Sequence, residues 1–452
     1  MKGGIAMPNP LGPSIQIDPA FPYYANRSAE SIVDEIELAG YRTVRYFVTE
    51  EKRIHGKLLE ALQKRGIFVW AMTLGNGVYT TGHLPKEWPR WQMTLLKPVE
   101  DGFYRFSPYS QSYTAWKKNA LAQMVRNYPF DGLEIAEPYF PEWNGLSSGV
   151  YGDVGPLARL AFRKKYGSDI PDFKYASSAN YYKRNTSLYA DWVQFRVDSV
   201  NRFLAEMIHG AGGVKHARPG IQIATWSVAV DHGPDSVELI REFQGIDAPS
   251  MISAVKPDVH FIQTHWPDWM RPSLKANYVT AYEPFTRQIR MAHPQLPLGI
   301  QADIGSKRNM RRSTGWLRQF RETAGKLNYA TWTAYEYHLG RYMYEEPPLP
   351  LQAKRVGRNI VLLLFNKRVD ESSAENPQHY QMSLRGAELK IQDLKAEADG
   401  NRILLWSALF PQEPFELTLS GIQDTPSLWL FQQAKANKVP RNCSVTVPPY
   451  RH

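Results

Sequence analysis

One cysteine, Cys443, stands in a chain of 452 residues. It excludes an intramolecular disulfide and any zinc site built on several thiolates, and it leaves the redox compartment open. No apolar run approaches the length of a membrane span, and the N-terminal Met1-Lys2-Gly3-Gly4-Ile5-Ala6-Met7-Pro8 lacks an apolar segment of signal-peptide length. The expectation is a soluble chain without a membrane span. Localisation is extracellular if a leader has been removed and cytoplasmic if the chain is complete as written. There is no phosphate-binding glycine loop, no dinucleotide-type glycine fingerprint and no His-Glu-x-x-His pair. The formal charge of +10 contains no long basic tract, only short clusters such as Lys307-Arg308 and Arg311-Arg312. It reads as a solvated basic surface, or as attraction to an acidic polymer, with no nucleic-acid motif beside it.

What is present is apolar residues at 43%, with 13 Trp, 25 Tyr and 19 Phe. That is enough for one barrel-sized domain and a smaller one, and while so many aromatics permit stacking against sugar faces, large aromatics more often simply fill cores. From residue 14 to about 340, short β-rich runs alternate with amphipathic stretches, the pattern of parallel strands joined by crossover helices. Eight runs are predicted: Ser14 to Asp18, Thr43 to Val48, Ile67 to Met72, Gly132 to Glu137, Ile221 to Ser227, Val259 to His265, Leu298 to Asp303, and Tyr329 to Glu336. The fold class is therefore α/β, a (β/α)8 barrel over residues 1–345. Helices are predicted over Ser28 to Leu38, capped by Ser28 or Ser31, and Ile54 to Lys64. Long insertions at 74–112 and 138–186, rich in Pro, Gly, Trp and Tyr, are placed to build a cleft.

Alternation along each strand assigns side chains to the barrel interior, because the outer face must be apolar to receive helices. It turns Gln16 and Asp18, Arg45, Glu134 and Ala136, and Gln301 and Asp303 inward. Buried charges from separate strands need partners, so they form either a satisfied ion-pair network, such as Arg45 with Glu134, or a binding pocket.

The segment Phe130-Asp131-Gly132-Leu133-Glu134-Ile135-Ala136-Glu137-Pro138-Tyr139-Phe140-Pro141 joins a strand entry, two carboxylates and a strand-ending proline. It resembles the fourth-strand motif of barrel glycoside hydrolases. Ser107-Pro108-Tyr109, the helix through Trp116 to Tyr128, and Ala161-Phe162-Arg163-Lys164-Lys165-Tyr166-Gly167 resemble bacterial members of that class. The resemblance spans most of residues 14–340 and implies cleavage of glycosidic bonds by carboxylates at the C-terminal mouth of the barrel. Chitinase-like barrels carry acids where Ala136 and Pro138 stand, so their substrate-assisted mechanism does not transfer.

Glycoside cleavage needs one protonated carboxyl and one ionised carboxylate. Glu137, at the strand-to-loop junction, is the first candidate, with Asp303 or Glu336 opposite it, Glu134 one layer deeper and Asp268 in reserve. Trp226 and Trp266 are expected to stack a pyranose face while Gln263 and His265 bond its hydroxyls. Asp18, Arg45, Trp70, Gln301, Trp332 and Tyr335 complete the expected sugar-contacting set, with His338 near it. No metal or cofactor is expected. The competing metal reading would use His232, His265, Asp268, Asp303 and His338, but strand one has Gln16-Ile17-Asp18 where amidohydrolase-type barrels have a His-x-His pair. A non-catalytic carbohydrate-binding barrel is the alternative from another class. The partner is a carbohydrate, neutral or acidic, and oligomeric state is left open.

After residue 345 the character changes. Residues 346–351, proline-rich, read as a linker. Strands are predicted at Asn359 to Phe365, His379 to Leu384, Arg402 to Ser407, Phe415 to Ser420 and Ser427 to Phe431, a small β-sandwich over 352–433. Phe365-Asn366-Lys367-Arg368-Val369-Asp370 with Ser372-Ser373-Ala374-Glu375-Asn376-Pro377 resembles bacterial immunoglobulin-like domains, which implies a module that packs beside a catalytic domain without chemistry of its own. Residues 434–452 are taken as a tail.

Overall fold

The computed structural model describes residues 9–141, 143–302 and 307–450. Eight parallel strands close into a barrel: β1 (Ser14–Ile17), β2 (Thr43–Val48), β3 (Phe68–Leu74), β4 (Gly132–Ala136), β5 (Gln222–Ala229), β6 (Val259–Thr264), β7 (Leu298–Gln301) and β8 (Thr331–Tyr335). Each strand pairs with its neighbours in sequence. Closure comes from β1 pairing with β8, Ser14 opposite Thr333 and Gln16 opposite Tyr335.

Alternation decides what fills the two sides of this wall. Ile15, Ile17, Leu133, Ile135 and Ile300 join the large core under the helices, while Phe68, Trp70, Met72, Ala136, Ala224, Trp226, Val259 and Phe261 fill the interior. Large aromatics fit inside only because glycines face them. A Cβ added to Gly132 would lie 2.3 Å from the Trp70 ring, and one on Gly299 would lie 2.3 Å from the Phe261 ring. Gly132→Ala is therefore expected to lower stability by about 1–3 kcal/mol through overpacking, read as a fall in the thermal unfolding midpoint.

The helix α1 (Ala29–Leu38) begins where the Ser28 hydroxyl accepts the Ser31 N–H, and it buries Ile32, Val33 and Ile36. In α2 (Gly56–Lys64), capped by His55, Leu58, Leu59 and Leu62 face the strands. The insertion after β3 folds into a two-residue hairpin, Gly77–Val78 against Tyr104–Arg105, which overhangs the C-terminal ends of the barrel strands. Among the described residues, no helix is long and apolar enough to cross a membrane.

Beyond the barrel, two four-stranded antiparallel sheets share one core. The first runs β9-β10-β14-β13 and the second β12-β11-β15-β16, with β9 at Pro350–Gly357, β10 at Ile360–Phe365, β11 at Tyr380–Leu384, β12 at Ala387–Leu389, β13 at Lys395–Asp399, β14 at Arg402–Trp406, β15 at Phe415–Leu419 and β16 at Cys443–Val447. Val361, Leu363, Phe365, Met382, Ile403, Leu405, Leu417, Leu419 and Val447 pack between them.

Three boundaries differ from the sequence expectation. Residues 346–351 are not wholly linker, because Pro350 opens the edge strand β9, where a missing N–H breaks no interior ladder. The expected strand at Ser427 to Phe431 is instead a 3-10 turn, Pro426–Leu428, followed by Trp429 packed edge-on against Tyr344. Its alternation reflects burial against the barrel side. Residues 434–452 are more than a tail, since β16 forms the edge of the second sheet.

The two domains meet through aromatic and polar contacts. Lys367 and Asp424, both fully buried, pair at 2.6 Å, and the Lys367 ammonium also donates to the Met343 carbonyl at 2.8 Å.

Candidate active site

At the C-terminal mouth of the barrel lie two adjoining cavities of about 470 Å3 each, which share Tyr79, Glu137, Gln263 and Trp269. The inner one descends toward the barrel axis over Met72, Ala136 and Trp226, walled by Gln16, Asp18, Phe21, Phe47, Gln301 and Tyr335. The outer one lies under the hairpin, among Asp101, Phe103, Arg105, Tyr139, His265, Trp266 and Lys307.

Glu137 stands where the two cavities join. It is the first residue past β4, and its φ of +51° puts a non-glycine residue in the left-handed region. Such backbone costs of order 1–3 kcal/mol and persists where surroundings impose it. Burial raises its carboxyl above the ordinary glutamate range, and a hydrogen bond from Gln263 and the charge of Arg105 only partly offset this. A carboxyl held toward its protonated form and open to a cleft is suited to donate a proton.

The far wall carries the second group of acids. Asp18, just past β1, lines the inner cavity and accepts the Ala20 N–H at 3.0 Å, while burial raises its pKa. Behind it Glu336, 5% exposed, accepts the Tyr24 hydroxyl at 2.8 Å and the Asp18 N–H at 3.3 Å on one oxygen. Burial, then the neighbouring Asp18 charge, pushes Glu336 well above the glutamate range. Asp303 lies outside the described residues.

Among the described residues, several buried polar atoms at the cleft lack protein partners, as do others elsewhere in the fold. Those at the cleft include Oε1 of Gln263 and Gln301, Nε1 of Trp226 and Trp266, and Nε2 of His265. Buried polar groups are normally satisfied, so this mixed set of donors and acceptors matches a ligand rich in hydroxyls. Gln301 is held by its amide donating to Gln16 at 3.0 Å. Burial pushes His265 down to about 3, which keeps it neutral.

Other sequence-selected residues lie away from the cleft. Glu134 forms a buried ion pair with Arg45 inside the barrel, beneath the inner cavity, and the Arg45 guanidinium sits 3.6 Å from the Phe261 ring centre. Trp70, fully buried, packs in the same layer. Trp332 faces the helix layer against Tyr41, on the opposite side of β8 from Tyr335. Asp268 is enclosed by Arg271 at 2.8 Å, the Tyr282 hydroxyl at 2.7 Å and the Asp231 N–H at 2.8 Å. His338 packs against Tyr337 with ring centres 4.4 Å apart. Among the described residues, no group of three or more His, Cys, Asp or Glu is arranged to hold a metal ion.

Sequence reasoning missed Tyr79, Asp101, Phe103, Arg105, Tyr139 and Trp269. The first four come from the 74–112 insertion, whose aromatic richness was its only signal. Trp269 was recoverable, because Trp266–Trp269 is a helical turn and residues three apart share a face.

No family model matches the sequence, and no curated protein is significantly similar to it. Solved structures are similar in fold. One is a β-galactosidase from the psychrophilic Marinomonas ef1, with a TM-score of 0.51 and 12% identity over 72% of this chain and 53% of that one. Another is a catalytic mutant of Gan42B, a GH42 β-galactosidase from G. stearothermophilus, with a TM-score of 0.50 and 15% identity over 73% of this chain and 52% of that one. The barrel shares its fold with these proteins. This chain spans about half the length of these neighbours, so the likeness places the architecture and leaves the reaction to be argued from the cleft.

Proposed function

We propose that this protein hydrolyses glycosidic bonds, with Glu137 delivering a proton to the leaving oxygen and Asp18, across the inner cavity, as the ionised partner. The observation that carries this reading is the pairing of two acids from β4 and β1 in one cavity, the first held toward its protonated form by burial. Burial raises Asp18 as well, against the Ala20 N–H, which favours its charged form. Trp226 and Trp269 offer ring surface to a pyranose, and Gln263 and Gln301 offer hydroxyl partners.

The cavity also speaks to substrate charge. Among the described residues, the walls of the inner cavity carry two carboxyl groups and no Lys or Arg, which favours an uncharged sugar there. Arg105 and Lys307 border the outer one, so acidic groups are accommodated only beyond Glu137.

A panel of neutral and acidic polysaccharides assayed for new reducing ends tests the proposal. Turnover is expected on a neutral chain, within a bell-shaped pH profile. Its alkaline limb falls as pH rises through the raised pKa of Glu137, and its acid limb falls as Asp18 is protonated. Asp18→Asn and Asp303→Asn identify the partner acid, since only its loss removes the acid limb. Saturable binding without released ends would instead support a carbohydrate-binding barrel.

A further inference from the structure

The loop leaving β1 carries three side chains to the far wall of the cleft. Asp18 and Phe21 line the inner cavity, and Tyr24 donates its hydroxyl to Glu336. Within itself the loop is shaped by successive tight turns: Phe21 N–H to the Asp18 carbonyl at 3.0 Å, Tyr24 N–H to the Phe21 carbonyl at 3.0 Å, and Ala25 N–H to the Pro22 carbonyl at 3.1 Å. Such a segment has no sheet ladder, and its remaining carbonyls need partners once buried.

Those partners come from the other domain. Arg368, 5% exposed and three residues past β10, directs Nη1 to the carbonyls of Tyr23 at 2.8 Å and Ala25 at 2.7 Å, with Pro22 at 3.5 Å. Its backbone N–H donates to the Tyr23 hydroxyl at 3.0 Å. The preceding residue is Lys367, held by Asp424 and the Met343 carbonyl, so the arginine projects from a fixed backbone. The two N–H groups of Nη1 thus serve the carbonyls of Tyr23 and Ala25, with that of Pro22 at the edge of reach.

We propose that Arg368 is a positioning residue: by gripping the carbonyls of residues 22–25, the β-sandwich domain fixes the β1 loop and thereby the places of Asp18, Phe21 and the Tyr24–Glu336 pair in the cleft. The sandwich is then part of the site, in contrast to the inert module implied by the immunoglobulin-like resemblance.

Two measurements on the full chain decide this, and only the second rests on the glycosidase reading. In hydrogen exchange, Arg368→Ala raises exchange at Phe21, Tyr24 and Ala25 by about tenfold or more, the scale of losing hydrogen bonds from a charged donor. Amides of β2 and β10 stay unchanged. Unaltered exchange over 18–25, or a rise spread evenly through both domains, overturns the proposal. On a panel of p-nitrophenyl pyranosides, Arg368→Ala and Tyr24→Phe move the acid limb of the kcat/KM profile, the one that follows Asp18, toward lower pH, because weakening the Tyr24 hydrogen bond favours the uncharged form of Glu336 and so removes a negative charge beside Asp18. Low millimolar guanidinium restores Arg368→Ala and not Tyr24→Phe. Lost rate with an unmoved profile and no rescue overturns the proposal. If the unmodified protein turns over none of the glycosides and no polysaccharide, the glycosidase reading fails and the exchange result alone decides.

Discussion

Glu137→Gln is expected to lower turnover by about 100- to 10,000-fold, the range for loss of a positioned proton donor, or about 3–5 kcal/mol of barrier at 1.36 kcal/mol per decade. The amide keeps the shape of the carboxyl and its place beside Gln263 but has no proton to give to a leaving sugar. Two features should separate this from general damage. The alkaline limb of the pH profile disappears, because the group that lost its proton there is gone. Glycosides with an acidic phenol as leaving group lose far less rate than alkyl glycosides, since a good leaving group needs little protonation. Full turnover on an alkyl glycoside would move the donor role to another acid.

Glu134→Ala is expected to destabilise the barrel by about 3–5 kcal/mol, the cost of leaving a buried charge without its partner. Both Arg45 and Glu134 are 2% exposed, and the guanidinium keeps only Thr333 and the faces of Trp70 and Phe261 once the carboxylate goes. The pair lies below the inner cavity and contributes to architecture. Arg45→Met with Glu134→Leu is therefore expected to recover most of the loss, because apolar replacement of a buried pair is often neutral or stabilising. Calorimetric midpoints of the two single variants and the double variant give the coupling directly. A double variant as unstable as Glu134→Ala would mean that the charges serve something other than each other.

The contrast between these two glutamates shows what the sequence made legible. Period-two alternation located all eight strands and turned Glu134 inward, but depth along the barrel axis depends on strand stagger, which no local pattern encodes. Trp70 was lost to the same cause, since it faces in at the level of Gly132, below the mouth. Trp332 and Tyr335, three residues apart on a strand, cannot share a face, and the structure puts only Tyr335 in the cleft. Asp268 follows the sixth strand closely in sequence, but the chain turns helical at Trp266 and swings it toward Arg271. Tyr79, Phe103 and Arg105 arrive on a hairpin with two-residue strands, too short to show any period.

The carboxamides of Gln16, Gln263 and Gln301 ring the inner cavity, with neutral His265 just outside it. None of these side chains gains or loses a proton between mild acid and mild alkali. On the proposed function, recognition of the sugar is thereby insulated from acidity while bond cleavage is not. If the protein acts as proposed, KM should stay level across a range in which kcat rises and falls, so a drop in environmental pH would slow turnover without releasing the bound sugar.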